Sequence, residues 1–584
     1  MNMMKLLSKA NKPQRYIGSE LNSIKKVHTD DLVKVLVGYP DLYEVGMSNM
    51  ALRIFYYLLN NREDCLAERI FTPAPDFIEI LKEKDVPLFS IETHTPIKEF
   101  DLICFTLQYE LTYSAMLSVI DLGKIPVRSE ERGENDPFIV VGGPCATNPE
   151  PVSPFVDLVC IGDGEEIFED LVRVSKETRG MKRIEKLKAY AEIDGVFAPA
   201  IEKKVKRRII ANLDDAFHPV TSIVPFMPTV HDRVSIEISR GCPHGCRFCH
   251  AGFTYRPYRE RSVAKLVEIA EEMVKNTGYN EITLASLSSS DYSKINELVE
   301  TLNTKFTGKN VSLALPSLRI SNFSVQLAKS LGMVKRGGLT FAPEAGSDKM
   351  RVAVNKGVVE KDLMDSVEAA VNAGWKRVKL YFMLGLPGET DEDAKEIANL
   401  AIEAQRLGKS ISKSGFKVTV NISAFVPKPH TPYQWSERID KDTYLNRVYM
   451  IKEKIFGKNI SIKYSNTFIS ELETIFSRGD AKTAELLYSA WKHGACFDGW
   501  EEYINREAWD KAVEEMGINW DDNFKATDPG GALPWDYIDM IVKKEYLVKE
   551  LEKSNTGKGT EICDTGSIAE ISDADKCRTC GVCK

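Results

Sequence analysis

Two series of short apolar runs organise the chain. In the first third, Leu32-Val33-Lys34-Val35-Leu36-Val37, Leu102-Ile103-Cys104-Phe105, Phe138-Ile139-Val140-Val141 and Leu158-Val159-Cys160-Ile161 have strand length, and helix-length amphipathic segments separate them. Runs with so little polar alternation are buried on both faces, which predicts a parallel sheet. The second series is Val234-Ser235-Ile236-Glu237-Ile238, Glu281-Ile282-Thr283-Leu284, Val311-Ser312-Leu313-Ala314-Leu315, Gly338-Leu339-Thr340-Phe341, Arg377-Val378-Lys379-Leu380-Tyr381 and Val418-Thr419-Val420-Asn421-Ile422. Strands that alternate with helices in this way predict a partial (β/α)6 barrel of the TIM type, with its chemistry on the rim at the strand carboxyl ends.

The fold class is therefore α/β, with an arm over residues 1–30, a Rossmann-like (flavodoxin-like) parallel-sheet domain over 31–200, a linker over 201–230 and the barrel over 231–440. Residues 441–555 read as a helical capping domain, whose Trp491, Trp500, Trp509, Trp520 and Trp535 are too irregularly spaced for a repeat and suit a core. Residues 556–584 form a Cys-rich tail. In the first domain the loops at the strand carboxyl ends, where such sheets bind ligands, are rich in turn residues. They are 38–48, 106–109, 142–144 and 162–166, and plain turn chemistry is the alternative reading of each.

Composition narrows the classes. A chain of 584 residues, 43% hydrophobic and 28% charged, can bury several cores. Its formal charge of −8 excludes a globally basic nucleic-acid binder, although Lys203, Lys204, Lys206, Arg207 and Arg208 form a local basic cluster that suits either a solvated linker or a phosphate. No apolar run approaches the roughly 18–20 residues of a membrane span, and Met4-Lys5-Leu6-Leu7 lacks a signal-peptide core, so a cytoplasmic protein with no membrane partner is expected. In that compartment cysteines serve as metal ligands or buried residues rather than disulfides. Cys65, Cys104, Cys145, Cys160 and Cys496 stand alone and read as packed hydrophobes.

The remaining cysteines carry chemistry. Cys242, Cys246 and Cys249 form a C-x3-C-x2-C loop after the first strand of the second series. Three thiolates at that spacing fit three corners of a 4Fe-4S cube and leave the fourth iron open to a substrate or cofactor. Cys563, Cys577, Cys580 and Cys583 suit a second metal site, either a tetrahedral zinc or another iron-sulfur cluster, with an inert tail as the alternative.

The loop Arg240-Gly241-Cys242-Pro243-His244-Gly245-Cys246-Arg247-Phe248-Cys249 resembles the signature of the radical S-adenosylmethionine (SAM) superfamily. The resemblance implies an open iron that chelates SAM and reduces it to a 5′-deoxyadenosyl radical, with Phe248 near the adenine. The superfamily's Gly-Gly-Glu element is absent, and Ser286 and Ser288 occupy its place as candidate receivers of the methionyl amino group. Segments 316–319, 342–347, 384–389 and 425–432 resemble the later rim motifs, with Arg319 and Glu344 as candidate SAM contacts or structural ion-pair partners.

The first domain resembles the cobalamin-binding domain of the B12-dependent branch, in particular an uncharacterised subgroup with a Cys-rich end. Thr106, Gln108, Gly142, Gly143, Gly162 and Glu165 are the ligand-facing candidates this implies. The branch's D-x-H-x-x-G motif stands here as Asp41-Leu42-Tyr43-Glu44-Val45-Gly46, with Ser48 beyond it and tyrosine in the histidine position. The lower axial site of a bound cobalamin is then expected to be water or empty. The implied activity is methyl transfer to an unactivated carbon by an oxygen-sensitive enzyme that uses a 4Fe-4S cluster, SAM and cobalamin, and takes electrons from a flavodoxin or ferredoxin. The alternatives are a methylthiotransferase or other enzyme acting on RNA or ribosomal protein through an auxiliary cluster, and a non-catalytic corrinoid or redox sensor.

Overall fold

A computed structural model describes residues 3–201, 204–315, 320, 339–412, 415–563 and 580–581. The first apolar series forms strands β1 (Val33–Tyr39), β3 (Leu102–Thr106), β4 (Phe138–Gly142) and β5 (Leu158–Cys160), and two strands outside that series, β2 (Cys65–Phe71) and β6 (Val196–Phe197), complete the sheet. Their order is β2-β1-β3-β4-β5-β6, parallel except for the β5–β6 pair. Val35, Leu36 and Val37 are all buried, because helices cover both faces of the sheet.

The second series forms β7 (Val234–Glu237), β8 (Glu281–Ala285), β9 (Ser312–Ala314), β10 (Leu339–Glu344), β11 (Arg377–Leu384) and β12 (Lys417–Ala424), and Ile460–Tyr464 adds a further strand, β13. Among the described residues these pair as two parallel sheets, β9-β8-β7 and β10-β11-β12-β13. The region read from sequence as helical over 441–555 thus also donates a strand, β13, to the second series.

The rest of that region divides: helix Lys544–Asn555 packs beside the cysteine loop, with Glu550 on Arg247, and three other helices pack on the first domain. Helices Thr467–Ser477, Ala481–Lys492 and Arg506–Met516 bury Leu472, Phe476, Leu487 and Trp509 in the same core as Tyr113, Met116 and Leu117 of the first domain. The Tyr113 and Phe476 rings meet edge to face at 5.2 Å. This places residues of the C-terminal third beside the strand-end loops of the first sheet.

Ion pairs join the first domain to the second series, among them Asp163–Arg259 at 2.5 Å and Glu165–Arg240 at 2.7 Å. Of the basic cluster, Arg207 and Arg208 belong to this junction, Lys204 and Lys206 are exposed, and Lys203 lies outside the described residues. Arg207 is buried, with its guanidinium on the Thr254 and Arg256 carbonyls, and Arg208 pairs with Glu166 and Asp170. Among the described residues no helix is long and apolar enough to cross a membrane.

Candidate active site

Strand β7 runs into the cysteine loop, and three separate parts of the chain clamp it. The Arg247 side chain, fully buried, pairs with Glu550 at 3.0 Å and donates to the Ala353 and Lys558 carbonyls. Asn355 donates to the Gly245 carbonyl and accepts from the Thr560 N–H. His244 Nε2 sits 2.7 Å from Asp291 Oδ2.

The three thiols lie within electrostatic reach of one another. Burial first, then Cys246 and Cys242, push the Cys249 thiol up to about 12. Crowded thiols that resist ionisation alone become thiolates on a cationic cluster, so this donor set fits iron. Among the described residues no three His, Cys, Asp or Glu side chains converge closely enough for a single ion.

The tail reaches the same loop. The Cys563 N–H donates to the Pro243 carbonyl at 2.9 Å, and Cys580 is buried with Phe253 and Tyr546. Cys577 and Cys583, like Arg319, lie outside the described residues.

A cavity of about 700 Å³ lies between the carboxyl ends of the first sheet and the cysteine loop. Thr106, Gln108, Gly142, Gly143, Gly162 and Glu165 line it on one side, and Arg240, Gly241, His250 and Ala251 on the other. Glycine is required at two of these turns. Gly143 has φ +97°, and a side chain on Gly162 (φ +121°) would overlap the Arg208 carbonyl.

The SAM candidates separate. Ser286 lines the cavity, whereas Ser288 is buried and turned onto Asp291. Phe248 packs beside Val354, Leu386 and Phe425. Glu344 holds a left-handed backbone (φ +70°) and pairs with Lys356 at 2.9 Å. Lys356 in turn acts on the Cys249 thiol, which puts this pair near the cysteines.

The Asp41–Ser48 group does not line the large cavity. The Tyr43 hydroxyl donates to Glu20 at 2.8 Å, inside a buried network in which Arg69 also pairs with Glu20 and Glu92. Burial would raise the Glu20 carboxyl, but Arg69 and Tyr43 hold it below its usual range. Gly46 packs on the Phe71 ring, Ser48 accepts from the His231 N–H, and Asp41 accepts from the Trp500 indole. The N-terminal arm and the C-terminal region have taken up this loop, so Asn49, Met50 and Ala51 reach the cavity instead.

Sequence reading missed the cavity's polar end. Lys428 Nζ bonds Glu110 at 2.6 Å, Glu473 at 2.8 Å and Ser477 at 2.9 Å, and the Tyr109 hydroxyl donates to Glu473. Burial opposes the Lys428 charge, yet the two carboxylates raise its pKa and keep it protonated. His250 lies 3.0 Å from Thr147 Oγ1, and burial lowers it to about 3, so it stays neutral beside the cysteines. His250 directly follows Cys249, a signal sequence reading could have used; nothing local marks Glu473.

Family models agree with this geometry: "Radical SAM proteins, N-terminal" matches residues 51–199 and "Radical SAM superfamily" matches 236–401. An uncharacterized protein of Methanocaldococcus jannaschii is 30% identical over 463 residues, 78% of this chain and 90% of that protein. The chain belongs to the radical SAM superfamily. It is a radical SAM enzyme. An uncharacterized methyltransferase of Pyrococcus horikoshii is 28% identical over 50% of this chain and 62% of its own length. A tRNA-2-methylthio-N(6)-dimethylallyladenosine synthase of Petrotoga mobilis is 23% identical over 50% of this chain and 68% of its own. The fold is similar to that of the radical SAM methyltransferase TsrM of Kitasatospora setae, with TM-score 0.51 and 13% identity, covering 83% of this chain and 100% of that one.

Proposed function

We propose that this enzyme is a cobalamin-dependent radical SAM methyltransferase acting on an unactivated carbon, with the two parallel sheets of the second series as the halves of an open barrel. One observation carries the reading. A single cavity has the glycine-bearing strand ends of the first sheet on one wall and the residues flanking the three cysteines on the other, so a cofactor on the first domain would face the cluster loop. The TsrM structure of similar fold has cobalamin and a 4Fe-4S cluster bound.

Cys242, Cys246 and Cys249 are the residues that would hold the cluster; Gly142, Gly143 and Gly162 would support the corrinoid. When bound, the cluster supplies the electron that cleaves SAM, and cobalamin supplies the methyl group. The protein's own contribution is positioning and exclusion of water. Val37, Ile54, Phe55, Val140 and Phe168 give the cavity apolar walls, and the Glu165–Arg240 pair ties its two sides together. Neutral His250 adds no charge next to the thiols.

Anaerobic purification with iron, sulfide and cobalamin quantified together tests the assignment, followed by incubation with methyl-labelled SAM, a flavodoxin or ferredoxin and candidate substrates. We expect bound cobalamin, deoxyadenosine formation and label in product. Zinc at the cysteine loop, or no SAM cleavage under a strong reductant, overturns the reading. Methylthiolation of RNA or ribosomal protein is the second reading, favoured by the Cys563 segment on the cluster loop and by the Petrotoga relative. Incorporation of labelled sulfur would establish it in place of methyl transfer.

A further inference from the structure

A second cavity, about 240 Å³, lies between the loop after β1 and the 496–500 segment. Its walls include Asp41, Tyr109, Leu111, Phe497 and Trp500, and Tyr109 also lines the large cavity. The 496–500 segment is fixed from beneath. Asp498, fully buried, accepts from the Trp509 indole at 2.9 Å and from Ser114, and Ser114 also donates to the Cys496 carbonyl.

Asp41 differs from the other carboxylates around these cavities. Glu110 and Glu473 share Lys428, while Asp163, Glu165 and Glu237 share Arg240. Asp41 Oδ1 accepts from the Leu42 N–H at 2.6 Å and the Trp500 indole at 2.9 Å; among the described residues Oδ2 has no hydrogen-bond donor and the carboxylate no cation. A partly buried carboxylate with both donors on one oxygen gains from a cation placed against the other. Three aromatic side chains, Tyr109, Phe497 and Trp500, line the same cavity, and aromatic walls attract an ammonium group that comes over their faces.

We propose that this cavity binds an alkylammonium group, with Asp41 as the counter-ion and Tyr109, Phe497 and Trp500 as the aromatic walls, and that the group belongs to the substrate, whose remainder passes Tyr109 into the large cavity. The assignment to substrate rests on the methyltransfer reading; the ammonium site itself does not.

Calorimetric titration of the anaerobic full-length enzyme, without SAM, uses n-butylammonium chloride as probe, with n-butanol and matched sodium chloride as controls. Saturable binding of the ammonium and not the alcohol is expected. Asp41→Asn should weaken it at least ~10-fold, about 1.4 kcal/mol, and Asp41→Glu should recover part of the loss. Trp500→Leu keeps the carboxylate and should weaken binding several-fold, so it carries the test should Asp41→Asn fail to fold by circular dichroism. Absence of saturable binding, equal binding by Asp41→Asn, or equal binding of butanol overturns the site. Ammonium binding without methyl transfer to a carbon of any candidate substrate overturns the methyltransfer reading alone. Methyl transfer to an amine-free substrate, with no ammonium binding, overturns this site alone.

Discussion

The cysteine loop and the 41–48 loop occupy equivalent places, each following the first strand of its parallel series and each carrying a recognisable motif, yet they end differently. In the cysteine loop the clamps fall on the residues between the cysteines: Arg247, His244 and the Gly245 carbonyl are held, and the thiols stay grouped. In the 41–48 loop Tyr43 and Ser48 are consumed by Glu20 and the linker, and Asp41 is turned by Trp500 onto the small cavity and away from the large one. A motif at a strand's carboxyl end faces the cofactor cavity only where later packing leaves its functional atoms free to do so.

The sharpest way to break the comparison is to replace Cys242, Cys246 and Cys249 with alanine. Deoxyadenosine formation should vanish and about four irons be lost by colorimetric assay, with any irons that remain assigned to the tail. Next in size is Arg247→Ala, which leaves Glu550 buried without its guanidinium. It should cost ~3–5 kcal/mol in denaturant unfolding and lower the iron content.

Titration distinguishes the regions further. Burial raises Glu389, on the rim after β11, to about 7 from its ordinary 4.5, although Arg447 lies 2.8 Å away. A carboxyl raised by folding contributes stability that is fully present below pH 4.5 and lost as pH rises through about 7. Glu389→Gln should therefore flatten the stability profile across that window, by at most ~3 kcal/mol, as read by thermal melts at several pH values. Glu20 has the opposite sign, with a depressed carboxyl whose contribution is present above 4.5 and lost on acidification.

The smallest effect sharpens the contrast most. Tyr43→His restores the histidine of the D-x-H-x-x-G pattern, but at a position directed to Glu20 and Arg69. We expect ~1–2 kcal/mol of destabilisation and unchanged cobalamin content by absorbance. Cobalt coordination by the new imidazole, seen by electron paramagnetic resonance, would show that the loop can reach the cavity after all.

Much of this was legible in the chain because it is encoded locally. Strands β1, β3, β4 and β5 are near-continuous apolar runs, and the cysteine spacing fits a cube whatever surrounds it. Thr106, Gln108, Gly142, Gly143, Gly162 and Glu165 were legible as strand-end turns, and the structure gathers them on one cavity. Lys428, Glu110 and Glu473 were not, because their meeting spans hundreds of residues of separation and involves a helix that packs on the first domain.

Sequence alone determined most of the strands, the cysteine loop and the absence of a histidine at position 43, since each depends on neighbours in the chain. Tertiary structure decided which loops stay open and which carboxylates acquire a cation, leaving Asp41 without one among the described residues that line the two cavities. Those outcomes depend on burial and on partners brought together only when the arm, the two parallel series and the C-terminal helices pack, and no periodicity records them.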